Sequence, residues 1–525
     1  MDSVATIFIL MFAAVLLVGI AQKFHVPYPL ALIIGGTAIS FIPYLSTINF
    51  DSNLILLIVL PPILYYAAFG ISFREFKKNW KDIFSLALGL VVATTVVIAI
   101  IFKWMFPEYS WALAFAFGAI VSPPDAIAAT TILKRFEINS RLVTLLEGES
   151  LINDASALVL YKVAVTALIS GVFTYLEAGQ EFVQAAFGGL LLGFISGLLF
   201  QLFSRRYLEP ILGVLFSFTI PYITFIIANL LGVSGVLAVV VNGLIGSQIL
   251  LTHHSSLRRI IGFAVWDIFI ILMNCFVFIL IGLQLKTVTS LLTRQEMALY
   301  TGYALLISFA MFLVRFIWVF GKSGFAYFKA LNKPKSSTTC PQILRDAALV
   351  SWSGMRGIVS LAAAMGLPYV LPNGMPLEGR NEVIFITFLV ILITLLVPGL
   401  SLPSLITWLK IQRHEGFSNA GKVRNQLAKV AAEKLHYLFS AKHIDESEFD
   451  FLKTYFIVQP RVLEMSHEVE YKVQNIETAR IKVIQAQRKK LFEIWKKQEI
   501  DDRLLTHLEN ELDMVEVHIA RAELK

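Results

Sequence analysis

Apolar stretches of about 20 residues, the length that crosses roughly 30 Å of hydrocarbon, recur along the chain from residue 5 to about residue 409. Short polar segments separate them. Thirteen spans result, near 5–22, 28–44, 52–70, 83–105, 111–131, 142–170, 182–203, 209–228, 231–250, 260–284, 298–320, 343–367 and 382–409. Such runs must be helical in lipid, because each backbone N–H has to be satisfied within its own segment. The pattern therefore predicts an all-α polytopic membrane protein. At about residue 410 the pattern changes to apolar residues three and four apart with opposite charges between them, the signature of amphipathic helices in water. Pro460 separates the first of these helices from a longer one behind it. The division expected is a transmembrane domain over 1–410 and a soluble helical tail over 411–525, regulatory or dimer-stabilising.

Composition agrees with that division. Hydrophobic residues make up 57% of the 525 and charged residues 15%, outside the range of a soluble enzyme. The net charge of +7 is not a nucleic-acid signal, because residues 411–525 hold 19 basic and 19 acidic residues and the whole excess lies before them. That excess sits in alternate loops. Arg74, Lys77, Lys78 and Lys81, then Lys134, Arg135 and Arg141, then Arg205 and Arg206, then Arg258 and Arg259, then Lys322, Lys329, Lys333 and Lys335 mark one side of the membrane. By the positive-inside rule this side is cytoplasmic, with the amino terminus outside and the carboxyl terminus inside. The two cysteines, Cys275 and Cys340, form neither a disulfide framework nor a metal cluster. No targeting leader is called for before the first span, and the compact loops point to a bacterial inner membrane.

Two spans carry breaks at mid-depth: SPPD at 122–125 in the fifth and SWSGMRG at 351–357 in the twelfth. Grouped as six, a connector and six, the spans place these breaks in corresponding positions. Transporters built from inverted repeats pair broken helices in this way and cross them at the binding site. The expected fold is thus two inverted six-helix repeats with crossed broken helices.

The breaks and the sixth span also carry the polar residues. Charge within hydrocarbon costs several kcal/mol, so each such group needs a partner or a task. Asp125 follows Pro123 and Pro124, which free backbone carbonyls, that of Pro124 among them, beside a carboxylate; Asp125 is also placed to cap the second half-helix. GESLIND at 148–154 sets Glu149 above Asn153 and Ser150 above Asp154 on a helix. Asp154 and Asp125, with Ser150, offer oxygens for which a sodium ion and a proton compete. Arg356 keeps its charge and needs a carboxylate, for which Glu149 is the candidate. Asp267 reads as an entrance residue, Asn274 as a polar brace, Arg315 and Lys162 as snorkelling side chains, and Pro61 with Pro62 as a further helix break.

The residues resemble the sodium/proton exchanger family of the monovalent cation/proton antiporter-1 group, the bacterial branch with a cytoplasmic tail. The likeness runs over about residues 1–410 and rests on LPPILYYAAFG (60–70), AFAFGAIVSPPDAIAAT (114–130), LLEGESLINDASALVLY (145–161), FILIGLQL (278–285) behind Asn274, and SWSGMRGIVSLAAA (351–364). It implies a dimer-interface domain beside an ion-carrying core, with Asp154 as the principal carrier, Asp125 and backbone oxygens nearby as further contacts, and a Glu149–Arg356 salt bridge. Asn153 before Asp154 implies electroneutral exchange. The chain departs from the family at SPPDAIA (122–128), where many members read SPTDPVA.

The function expected is secondary active sodium/proton antiport by alternating access in a homodimer, with membrane lipids around it and neither cofactor nor nucleic acid. Potassium/proton exchange differs from this only in oxygen geometry. A channel gated by the same carboxylates is the reading from another class; an intramembrane hydrolase lacks a Ser/His pair.

Overall fold

Every predicted span coincides with a helix or a broken pair of helices in the computed structural model. It describes residues 3–411 apart from 25–27, 43–51, 72, 137, 172–174, 254–255, 291, 332–339 and 373, and beyond them residues 430, 432–441, 443 and 445–453. Lys333, Lys335 and the helix predicted after Pro460 lie outside the described residues. In order the helices are α1 (Ser3–Lys23), α2 (Tyr28–Ser40), α3 (Ser52–Gly70), α4 (Phe73–Phe84), α5 (Val91–Met105), α6 (Trp111–Val121), α7 (Ile127–Arg135), α8 (Ser140–Ser170), α9 (Tyr175–Tyr207), α10 (Pro210–Leu230), α11 (Gly235–His253), α12 (Ser256–Thr289), α13 (Arg294–Leu331), α14 (Cys340–Trp352), α15 (Ile358–Met365) and α16 (Arg380–Trp408). Among the described residues the one β feature is an isolated bridge between Val370 and Pro376.

Among the described residues seven helical stretches are long and apolar enough to cross a membrane: Arg74–Met105, Arg141–Ser170, Val183–Ser204, Ile211–Leu230, Ile260–Gln284, Arg294–Gly324 and Arg380–Trp408. Shorter apolar helices occupy the remaining predicted spans except the twelfth, which is divided between α14 and α15. Phe12, Phe187, Leu199, Leu230, Phe309 and Ile317 are each more than half exposed. Water would penalise that surface, whereas lipid tails accept it.

Two expectations about helices are corrected. The fourth span, read from residue 83, begins at Phe73: α4 is strongly amphipathic and runs through a π-helical turn (Ser85–Leu90) into α5. Its basic residues lie on a helix rather than in a loop. Pro61 and Pro62 do not interrupt α3, which is continuous through both.

Contacts gather the helices into two groups, α1–α3 with α9–α12 and α4–α8 with α13–α16. In the first group the backbones of α2 and α12 touch. A Cβ on Gly36 would lie 2.4 Å from the Ile279 carbonyl oxygen, and one on Gly282 would lie 2.3 Å from that of Ile33. Small residues permit this approach where no hydrophobic force drives helices together. The second group holds both breaks and the buried charges.

The chain divides into two units, Met1–His414 and Glu415–Lys525. In the second, a helix over 432–440 sets His436 and Phe439 against Phe449 of α17 (Glu446–Lys453), with ring centroids 5.1 Å apart in both pairs. Asp445 and Glu448 cap α17 reciprocally, each carboxylate accepting the other's backbone N–H, at 2.9 and 2.8 Å.

Candidate functional site

Proline removes a donor and blocks the carbonyl four residues earlier. Pro123 and Pro124 accordingly end α6 at Val121, and helix resumes at Ile127. The second break runs from Ser353 to Gly357, between α14 and α15. Backbone freed by the breaks is satisfied partly across them and partly from α8. The Asp125 amide donates to the Met355 carbonyl at 2.6 Å, and Arg356 Nε donates to the Val121 carbonyl at 3.2 Å. From α8, Asn153 Nδ2 donates to the Pro124 carbonyl at 2.8 Å and Ser150 Oγ accepts from the Ala126 amide at 3.3 Å. The crossing leaves no room at Gly357: a Cβ there would stand 2.0 Å from Asp125 Oδ2.

Asp125 has a structural task as well, because its Oδ1 accepts the Ile127 amide, the first of α7, at 2.9 Å; the N-cap position itself is Ala126. Its other oxygen is free of that bond. Ser122, Thr130 and Thr131 direct their hydroxyls to carbonyls of their own helices. Asp154 is half-buried and makes no hydrogen bond or ion pair among the described residues.

Asp125, Ser150 and Asp154 line a cavity of about 480 Å³ between the two helix groups. Gly357 and Ser360 complete their wall. Tyr28, Leu64, Tyr66, Asp267, Ile271 and Asn274, from α2, α3 and α12, form the wall opposite. Asp267 is exposed and accepts a hydrogen bond from the Tyr66 hydroxyl. Lys134 and Glu147 pair at 2.8 Å in the same cavity. Of the residues singled out in sequence, Asp125, Ser150 and Asp154 are thus brought together, whereas Pro124 does not line the cavity and its carbonyl is taken by Asn153. No group of three His, Cys, Asp or Glu side chains placed to hold a metal ion occurs among the described residues.

The predicted Glu149–Arg356 pair is corrected. Glu149 is bonded by Arg315 of α13, Nη1 to Oε1 and Nη2 to Oε2, the latter at 2.8 Å, and both side chains are 2% exposed. Arg315 Nε also donates to the Val350 carbonyl at 3.1 Å. Arg356 gives its hydrogen bonds to the carbonyls of Val121 and Gly354. Arg315 was expected to snorkel from a span ending near residue 320. α13 continues to Leu331, which puts Arg315 at mid-helix and out of reach of water. The signal was in the sequence, since WVFGKSGFAYFKAL extends the helical pattern past that limit.

The sodium/hydrogen exchanger transmembrane family model matches residues 9–408. An uncharacterised Na(+)/H(+) exchanger of Escherichia coli K12 is 30% identical over 94% of this chain and 94% of its own length. A sodium, potassium, lithium and rubidium/H(+) antiporter of Bacillus subtilis is 33% identical over 72% of this chain, which covers 58% of that protein. Among solved structures, the sodium proton antiporter MjNhaP1 from Methanocaldococcus jannaschii aligns with a TM-score of 0.61 at 18% identity, over 77% of this chain and 98% of its own.

Proposed function

The chain belongs to the sodium/hydrogen exchanger family, a family of membrane transporters rather than enzymes, and from that premise we propose that it exchanges one sodium ion for one proton. The observation that carries the proposal is Asp154: a half-buried carboxylate in the middle of α8, without a partner among the described residues, lining a cavity that it shares with Asp125 and Ser150. A buried charge left unpaired by the protein must be neutralised by something else. A proton or a cation can do so, and each excludes the other. Sodium in this reading is held at Asp154, Asp125 and Ser150.

Asn153 supports one-for-one exchange. It is buried, contributes no titratable group, and ties α8 to the first break through Pro124. One carrier carboxylate then shuttles between a sodium-bound and a protonated form of equal charge. The cavity between two helix groups supports alternating access, in which the group bearing both breaks moves against the α1–α3 and α9–α12 scaffold. The protein works as a homodimer in a bacterial inner membrane, with its amino terminus outside and its carboxyl terminus cytoplasmic, as the basic loops argue. Residues 411–525 regulate transport or stabilise the dimer.

A second reading, potassium/proton exchange, is favoured by the breadth of ions in the name of the Bacillus subtilis relative. One experiment addresses both. Proteoliposomes with a preset pH gradient are given sodium, lithium or potassium, with the membrane potential clamped and unclamped. Dissipation by sodium that ignores the clamp supports the proposal; a response to potassium alone replaces the cargo; a current without proton coupling refutes antiport.

A further inference from the structure

Beyond the carboxylates, two residues lining the cavity carry buried oxygens whose hydrogen-bonding capacity is unused among the described residues. Asn274 lies on α12, in the wall facing Asp125 and Asp154; it is 2% exposed, and its Oδ1 has no partner among the described residues. Ser360 lies on α15, in the carboxylate wall; it too is 2% exposed, and its Oγ also lacks a partner. Buried polar side-chain atoms are nearly always satisfied, so two orphans lining one cavity call for an occupant.

We infer that Asn274 and Ser360 are ligands of the transported cation, supplying neutral oxygens from opposite walls. This rests on the antiport reading. A monovalent cation is compensated in charge by a single carboxylate, and its remaining coordination is best filled by uncharged oxygens, which set size preference without holding the ion too tightly to leave. Asn274 has a further consequence. It belongs to the scaffold group, whereas Asp125, Ser150, Asp154 and Ser360 belong to the group with the breaks. A cation touching both is bound most tightly when the walls are together, and a proton on Asp154 needs no such bridge. Asn274 thereby acts as a specificity-determining residue, sensed by the cation and not by the proton.

The test measures sodium-dependent and lithium-dependent proton flux in proteoliposomes for Asn274→Ala, Asn274→Ser and Ser360→Ala, with Asp154→Asn as reference. Asn274→Ala should raise the apparent KM for sodium about tenfold, with the maximal rate within about twofold of the parent. Asn274→Ser, which keeps an oxygen, should recover part of that loss and change the lithium-to-sodium KM ratio. Ser360→Ala should raise KM about threefold. Should Asn274→Ala not assemble, Asn274→Ser and Ser360→Ala carry the test. Parental KM and ion ratio in those variants, with Asp154→Asn inactive, overturn the assignment and leave antiport standing. An active Asp154→Asn overturns the antiport reading itself.

Discussion

Glu149 and Asp154 are two carboxylates on one helix, five residues apart and equally foreign to a membrane, yet their surroundings differ. Five residues on an α-helix turn the side chain well over a quarter-circle. Glu149 thereby meets Arg315 in a fully buried two-bond ion pair, flanked by the Val350 carbonyl. Asp154 meets the cavity and is bonded by no described residue. Burial therefore does not mark a carrier, since the more deeply buried of the two is the one spent on structure. What marks it is a missing partner beside an open space.

The sharpest way to break this contrast is Asp154→Asn. It should abolish exchange while leaving the unfolding temperature in detergent unchanged, and flux retained at a tenth or more of the parent would make the contrast meaningless. Glu149→Gln should do the reverse, lowering stability by about 3–5 kcal/mol because Arg315 is left buried without its counter-charge. Thermal unfolding in detergent would show it, and the exchanged pair Glu149→Arg with Arg315→Glu should recover part of the loss. A third substitution, Gly357→Ala, tests the boundary between the two roles by forcing a methyl group onto Asp125. It should cost about 1–3 kcal/mol and weaken cation affinity, read as a raised KM at unchanged protein yield. The smallest effect is expected at Lys134→Ala, whose pair with Glu147 is 63% and 21% exposed. Water screens it, so its removal should alter stability by less than about 1 kcal/mol, measured in the same unfolding assay.

Much of this was legible in sequence because the local rules are strong. Apolar length located the helices, Pro123 with Pro124 and the glycines of SWSGMRG located the two breaks although the same signal at Pro61 and Pro62 misled, and four-residue spacing placed Ser150 and Asp154 on one face. Partner choice was not legible, because it depends on which helices lie side by side. Arg356 and Arg315 are equally charged, and which of them meets Glu149 follows from α13 packing against α14 near Val350. The reading of Arg315 as a snorkelling residue failed for a local reason, a helix end set too early. α4 was missed as a helix because its charges suggested a loop, although FREFKKNWKDIF alternates faces as an interfacial helix does. The orphan oxygens of Asn274 and Ser360 could not be foreseen at all, since satisfaction of a hydrogen bond is a property of neighbours.

The mutual repair of the two breaks also imposes an order on biosynthesis. The Val121 carbonyl and the Arg356 guanidinium are 235 residues apart in the chain. At a ribosomal pace of about 5–20 residues per second, the first break exists for on the order of 10–50 s before its counterpart has been made. Throughout that interval α6 and α7 must wait with polar backbone exposed, in contact with water, the insertion machinery or α8. The fifth span is thus a provisional resident of the bilayer until the twelfth arrives, and a stall in translation between them would leave a half-built protein at its most vulnerable to quality-control proteolysis.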